Sequence, residues 1–163
     1  MRKNSGFTAM ELAVTLAIMV IVSAFVMPPY LKWLRTYRLR GAVNNLIADF
    51  EMAKIRAIRE NSPVAVLFQS DNYVIFVDNG EGTGGFSGDW IRNGTEILVR
   101  SRPLPAGVTF DMGGLTLADD RVRFNGRGLP PDVVSEQTIP LINRSGGKQI
   151  IMNRLGHLYV QKL

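Results

Sequence analysis

One carboxylate stands near the start of a stretch otherwise fit for a bilayer. Gly6-Phe7-Thr8-Ala9-Met10-Glu11-Leu12 opens an apolar run in which Glu11 is the only charge up to Met27. Shut away from water among other helices, such an acid seeks a cation at low dielectric, and a misplaced partner leaves both charges unpaired. Other candidates for chemistry are poorer. Asp78-Asn79-Gly80-Glu81-Gly82-Thr83-Gly84-Gly85-Phe86-Ser87-Gly88-Asp89 is rich in oxygen donors. With Asp78 as the first ligand of a calcium loop, however, the third and fifth positions are Gly80 and Gly82, which have no side-chain oxygen. No helix follows to make a phosphate loop, so the segment reads as a mobile hairpin loop. The single histidine, His157, falls in the last predicted strand without an acid partner near it in sequence. No motif names a nucleophile or a carboxylate pair. The residues point to no catalytic site, no cofactor and no metal.

The elements that carry these residues follow from patterning. Phe7 to Met27, as a helix, would be roughly 31 Å long and match a hydrocarbon core of about 30 Å. Arg2 and Lys3 precede it, as in a secretory signal, but the run is too long for one and ends in Met27-Pro28-Pro29 rather than a small-residue cleavage site. It reads as a retained anchor. Pro28 and Pro29 lack the amides that would bond the carbonyls of Ala24 and Phe25, which predicts a kink or local unwinding there. Beyond them Leu39, Val43, Leu46, Phe50, Ala53 and Ala57 recur at helical spacing and form one apolar stripe, stopped by Asn61-Ser62-Pro63.

From Val64 the period changes. Short β-branched and aromatic runs begin at Val64, Tyr73, Glu96, Arg121, Thr138, Gln149 and His157, separated by Gly, Asn, Asp or Pro. They give about seven strands, with turns at Asp71-Asn72 and Ser145-Gly146-Gly147. The expected fold class is α+β: a long N-terminal helix, transmembrane in its first half and amphipathic in its second, packed on an antiparallel sheet domain.

Composition limits the alternatives. At 163 residues the chain holds one domain and an appendage, and 46% apolar with 20% charged residues argues against disorder. There is no cysteine, so disulfides, thiolate zinc sites and cysteine nucleophiles are excluded. The net charge of +5 raises the question of nucleic acid.

The opening motif resembles the class III signal of type IV prepilins and of the pseudopilins of type II secretion, usually G-F-T-L-x-E-L; Ala9 stands where leucine is commoner. The resemblance implies a leader, residues 1–6, removed after Gly6 by a prepilin peptidase, and methylation of the new amine on Phe7. It implies a transmembrane and assembly helix over 7–29, an amphipathic helix over 30–60 and a periplasmic domain over 61–163. The protein would be single-pass in the inner membrane and enter a filament of pilin or pseudopilin subunits. The resemblance overrules a Lys/Arg count that favours the opposite orientation, with two cations before the span (Arg2, Lys3) and four after it (Lys32, Arg35, Arg38, Arg40). In such a filament Glu11 sets register by meeting the N-terminal amine of a neighbour; alone, it would simply reach back to the headgroups. Pro28 matches a proline that lets the family's helix bend.

The order of helix then strands, with Tyr73-Val74-Ile75-Phe76-Val77-Asp78-Asn79-Gly80 before a glycine-rich loop, is similar to the GspH/FimT group of minor pilins and pseudopilins. Some members take up DNA through a Gly-Arg-x-Arg motif, but the matching Gly156-His157-Leu158-Tyr159 lacks both arginines. Arg121, Arg123, Arg127, Arg144, Lys148 and Arg154 are the residues left to form a basic face for phosphates. Loss of the leader lowers the charge from +5 to +3 by removing Arg2 and Lys3, so DNA is the disfavoured partner.

Overall fold

The structure is a computed structural model that describes residues 7–82, 85–92 and 95–163. The leader, including Gly6, and loop residues Thr83 and Gly84 lie outside the described residues. The chain divides into two compact units, Met1–Leu34 and Arg35–Leu163.

Both units draw on one helix, α1 (Ala9–Glu60), whose assignment continues through Pro28 and Pro29. It ends where the sequence stops it. Asn61 takes a left-handed φ of 46°, the Asn61 amide donates to the Ile58 carbonyl and the Ser62 amide to the Ala57 carbonyl. That double bond pattern closes the last turn with asparagine in glycine's usual place, and Pro63 follows.

In the second unit the expected antiparallel sheet domain is present, and among the described residues eight strands, against the about seven expected, form two antiparallel sheets of four. The first sheet has the order β3-β2-β1-β5, built from β1 (Val64–Phe68), β2 (Asn72–Val77), β3 (Leu98–Pro103) and β5 (Arg121–Phe124). The second has the order β4-β6-β7-β8, from β4 (Thr109–Phe110), β6 (Gln137–Asn143), β7 (Gly146–Met152) and β8 (Leu158–Lys162). The strand missed from sequence is β4, two residues long and too short to show alternation. Strand β3 starts two residues later than the predicted one, because Glu96 turns inward to hold a loop. The β6–β7 turn is Arg144-Ser145, flanked by the Asn143↔Gly146 pair and braced by the Ser145 amide donating to Asn143 Oδ1. It lies just ahead of the glycines expected to make it. His157 precedes β8 and is exposed, so it does not belong to the last strand.

The predicted stripe is the buried face of α1: Leu39, Val43, Leu46, Phe50, Ala53 and Ala57 are all in the core with Val66, Phe68, Ile75, Phe124, Ile139, Leu141 and Ile150. Phe50 is the pivot. Its ring lies 6.1 Å from Phe68 and 5.9 Å, edge-on, from Phe124. Aromatic pairs of this geometry add about 0.5–1.5 kcal/mol beyond area burial.

Candidate assembly and surface sites

At the first unit's start, Thr8 and Glu11 hold each other. The Thr8 amide and Thr8 Oγ1 each donate to Glu11 Oε2 at 2.9 Å, and the Glu11 amide donates to Thr8 Oγ1 at 3.2 Å. This is a capping box, a Ser/Thr and a Glu three residues apart that satisfy each other's orphan amides. The sequence signal, Thr8-x-x-Glu11, was in plain view beside the charge. In the isolated chain Glu11 therefore has a local role, and among the described residues nothing reaches its Oε1. Past it, the most apolar 18-residue window has a mean hydropathy of 2.3 with none of it buried. Leu12, Val14, Leu16, Ile18, Val20, Ile21 and Phe25 are all exposed, from 45% at Val14 to 77% at Phe25. A face this apolar requires lipid or other protein to cover it.

In the second unit Asp49 breaks the polar side of the helical pattern. It is 4% exposed and accepts a hydrogen bond from Tyr73 Oη at 2.6 Å and one from Arg102 Nε at 2.8 Å, both on Oδ2. Arg102 Nη2 reaches Oδ1 at 3.3 Å, and Arg100 stands 3.7 Å away. The four groups clamp α1 to β2 and β3. Burial, then the carboxylate of Asp49, push the Tyr73 hydroxyl well above its usual range, while the hydrogen bond to Asp49 raises Arg102 further. A satisfied ion pair of this kind is costly to break from one side.

Two more buried acids organise the glycine-rich loop. Asp78, fully buried, accepts the Gly88 amide on Oδ1 at 3.0 Å and the Trp90 amide on Oδ2 at 3.2 Å. Glu96, 1% exposed, accepts the Gly80 amide at 2.8 Å. Desolvation raises the Asp78 carboxyl against the pull of its two amides. In the described part of the loop these acids serve backbone amides, and no group of three metal-ligating side chains occurs among the described residues. Gly80 is required where it stands. Its φ is 77°, and a Cβ there would lie 2.6 Å from the Ser87 nitrogen.

The six cations considered for nucleic acid do not converge on one face. Arg121 and Arg123 project from the outer side of the first sheet, where Arg123 aligns with Ala65 and Phe76 across the strands. Both guanidinium carbons stack on Trp90, at 4.7 and 4.6 Å from the ring centre. Arg123 also donates to the Gly88 carbonyl and pairs with Asp132, and Arg121 pairs with Asp119. They pin the loop to the sheet. Arg127 is in the turn after β5, Arg144 in the turn between β6 and β7, and Arg154 in the turn beyond β7. The last two stand at opposite ends of β7, roughly 20 Å of strand apart. Lys148 belongs to the Arg144 end.

The profile of the family described as Type II transport protein GspH matches residues 42–156. Among solved structures, the type IV minor pilin FimU of Pseudomonas aeruginosa superposes with a TM-score of 0.59 at 14% identity, over 79% of this chain and 92% of that one. The minor pseudopilin EpsH from the Type 2 Secretion System of Vibrio cholerae gives 0.53 at 11% identity, over 77% and 97%. No match was found among curated proteins. The stretch matched by the profile takes in most of the buried part of α1, the whole first sheet and three of the four strands of the second, so this chain, with the fold of minor pilins and pseudopilins, belongs to the GspH family.

Proposed function

We propose that the protein is a noncatalytic subunit of a filament, a minor pseudopilin of type II secretion or a minor pilin of a type IV pilus. It waits in the inner membrane, single-pass with its sheet domain in the periplasm, until assembly. Prepilin peptidase cuts after Gly6, and Phe7 becomes the methylated N-terminus. The observation that carries the reading is the fully exposed apolar half of α1 with Glu11 at its head, on a chain whose remainder belongs to the GspH family. Packing of Leu12, Val14, Leu16, Ile18, Val20, Ile21 and Phe25 against neighbours supplies binding energy. Glu11 supplies register, its Oε1 meeting the amine of an adjacent Phe7 while Oε2 caps its own helix. Pro28 and Pro29 are where the helix bends as subunits leave the bilayer.

Recovery of the protein in sheared filaments tests this. Glu11→Ala is expected to leave membrane insertion intact, since removing a charge eases insertion, and to lower incorporation. Incorporation equal to wild type would contradict the register role.

A further inference from the structure

At one end of the second sheet, Thr36, Leu39 and Arg40 of α1 face the β6–β7 turn, Lys148 and Lys162 across a cleft of about 390 Å³. Lys148 and Lys162 are directly opposite each other in the β7–β8 register. By strand alternation Lys148 shares its face with Ile150 and Met152, both fully buried, so it occupies a position where the strand pattern calls for an apolar side chain. Like charges directly opposed across a ladder are destabilising, and Arg40 adds a third cation to the same space. No Asp or Glu lines the cleft, and among the described residues none of the three cations forms an ion pair. Elsewhere in this unit the basic side chains that face one another, Arg100 with Arg102 and Arg121 with Arg123, share a carboxylate or a ring. Here, among the described residues, no Asp or Glu side chain is shared in that way.

We propose that this cleft binds a phosphate oxyanion, presented as the headgroup of an anionic phospholipid or as free phosphate. Two ammonium groups and a guanidinium supply donors from two strands and a helix, which suits a tetrahedral anion with several acceptor oxygens better than a planar carboxylate with two. The cleft volume exceeds a bare carboxylate and accommodates a glycerophosphate. The site is independent of the filament reading.

The test uses the full chain in a maltoside detergent, titrated with inorganic phosphate against chloride at matched ionic strength. Saturable binding is expected, weakened about tenfold or more in Lys148→Gln/Lys162→Gln and unchanged in Arg127→Gln/Arg154→Gln, which removes the same charge elsewhere. Native mass spectrometry with phosphatidylglycerol or phosphatidylcholine added separates the sources. One phosphatidylglycerol retained by wild type and lost in the cleft variant assigns the headgroup; phosphate binding without lipid preference assigns free phosphate. Lys162 is exposed, so Lys162→Glu spares the core. It is expected to raise the thermal midpoint in chloride, by making the opposed pair attractive, and to abolish the response to phosphate. Equal phosphate binding by wild type and the cleft variant, or none by wild type, would overturn the proposal.

Discussion

Glu11 has a role in the free chain and, in the proposed filament, a second one. Oε2 takes both bonds from Thr8, and the proposal gives Oε1 to the amine of a neighbour. Thr8→Val is therefore expected to fray the start of α1 while leaving the carboxylate in place, so filament recovery falls less than in Glu11→Ala; equal losses would mean that capping is all Glu11 does. Asp49 offers a cleaner energetic test. Because it is buried between Tyr73 and a partly exposed Arg102, Asp49→Ala should destabilise the sheet unit by about 3 kcal/mol, measured by denaturant titration. Tyr73→Phe should cost only about 1 kcal/mol. The tyrosine also makes a pH prediction. Its folded pKa is raised above the unfolded value near 10, so its contribution is complete below about pH 10 and is lost as pH rises beyond it. Wild type should lose stability in that range more steeply than Tyr73→Phe. A residue such as Asp49 was illegible from sequence because helical spacing assigns a polar side chain to a solvent face, and only the approach of β3 reveals its arginine.

At the scale of elements, the apolar stripe of α1 and its end at Asn61-Ser62-Pro63 were readable because a periodicity of 3.6 and a stop signal are local properties. The strands were readable as runs of β-branched and aromatic residues, but their division into two sheets was not, since pairing partners are set by contacts far apart in sequence. The anchors of the loop between β2 and β3 were missed for a related reason. Its glycines suggested looseness, whereas Asp78 and Glu96 lie at its two ends and become anchors only when the chain returns between them. Gly80→Ala places a Cβ against the Ser87 nitrogen at a left-handed φ, and the expected cost is about 1–3 kcal/mol in equilibrium unfolding. A cost near zero would mean that the loop rearranges freely. The local role of two cations considered for DNA was hidden for want of the same information: Arg121 and Arg123 were legible as cations, not as the two supports of Trp90.

Across the whole molecule the two units have opposite characters. Arg35–Leu163 buries a continuous core and matches the GspH family, whereas the first unit presents an apolar surface with no cover of its own. That contrast was visible in the sequence, because hydropathy and the Gly6-Phe7-x-x-x-Glu11 spacing need no tertiary contact to be read. The proposed assembly depends on a terminus created ahead of this helix, since in that reading a free amine on Phe7 answers a neighbouring Glu11. Intact-mass analysis of the protein isolated from its host is the most direct measurement. The expected species starts at a methylated Phe7, and Gly6→Ser should retain residues 1–6. A native protein that still begins at Met1 would contradict the account.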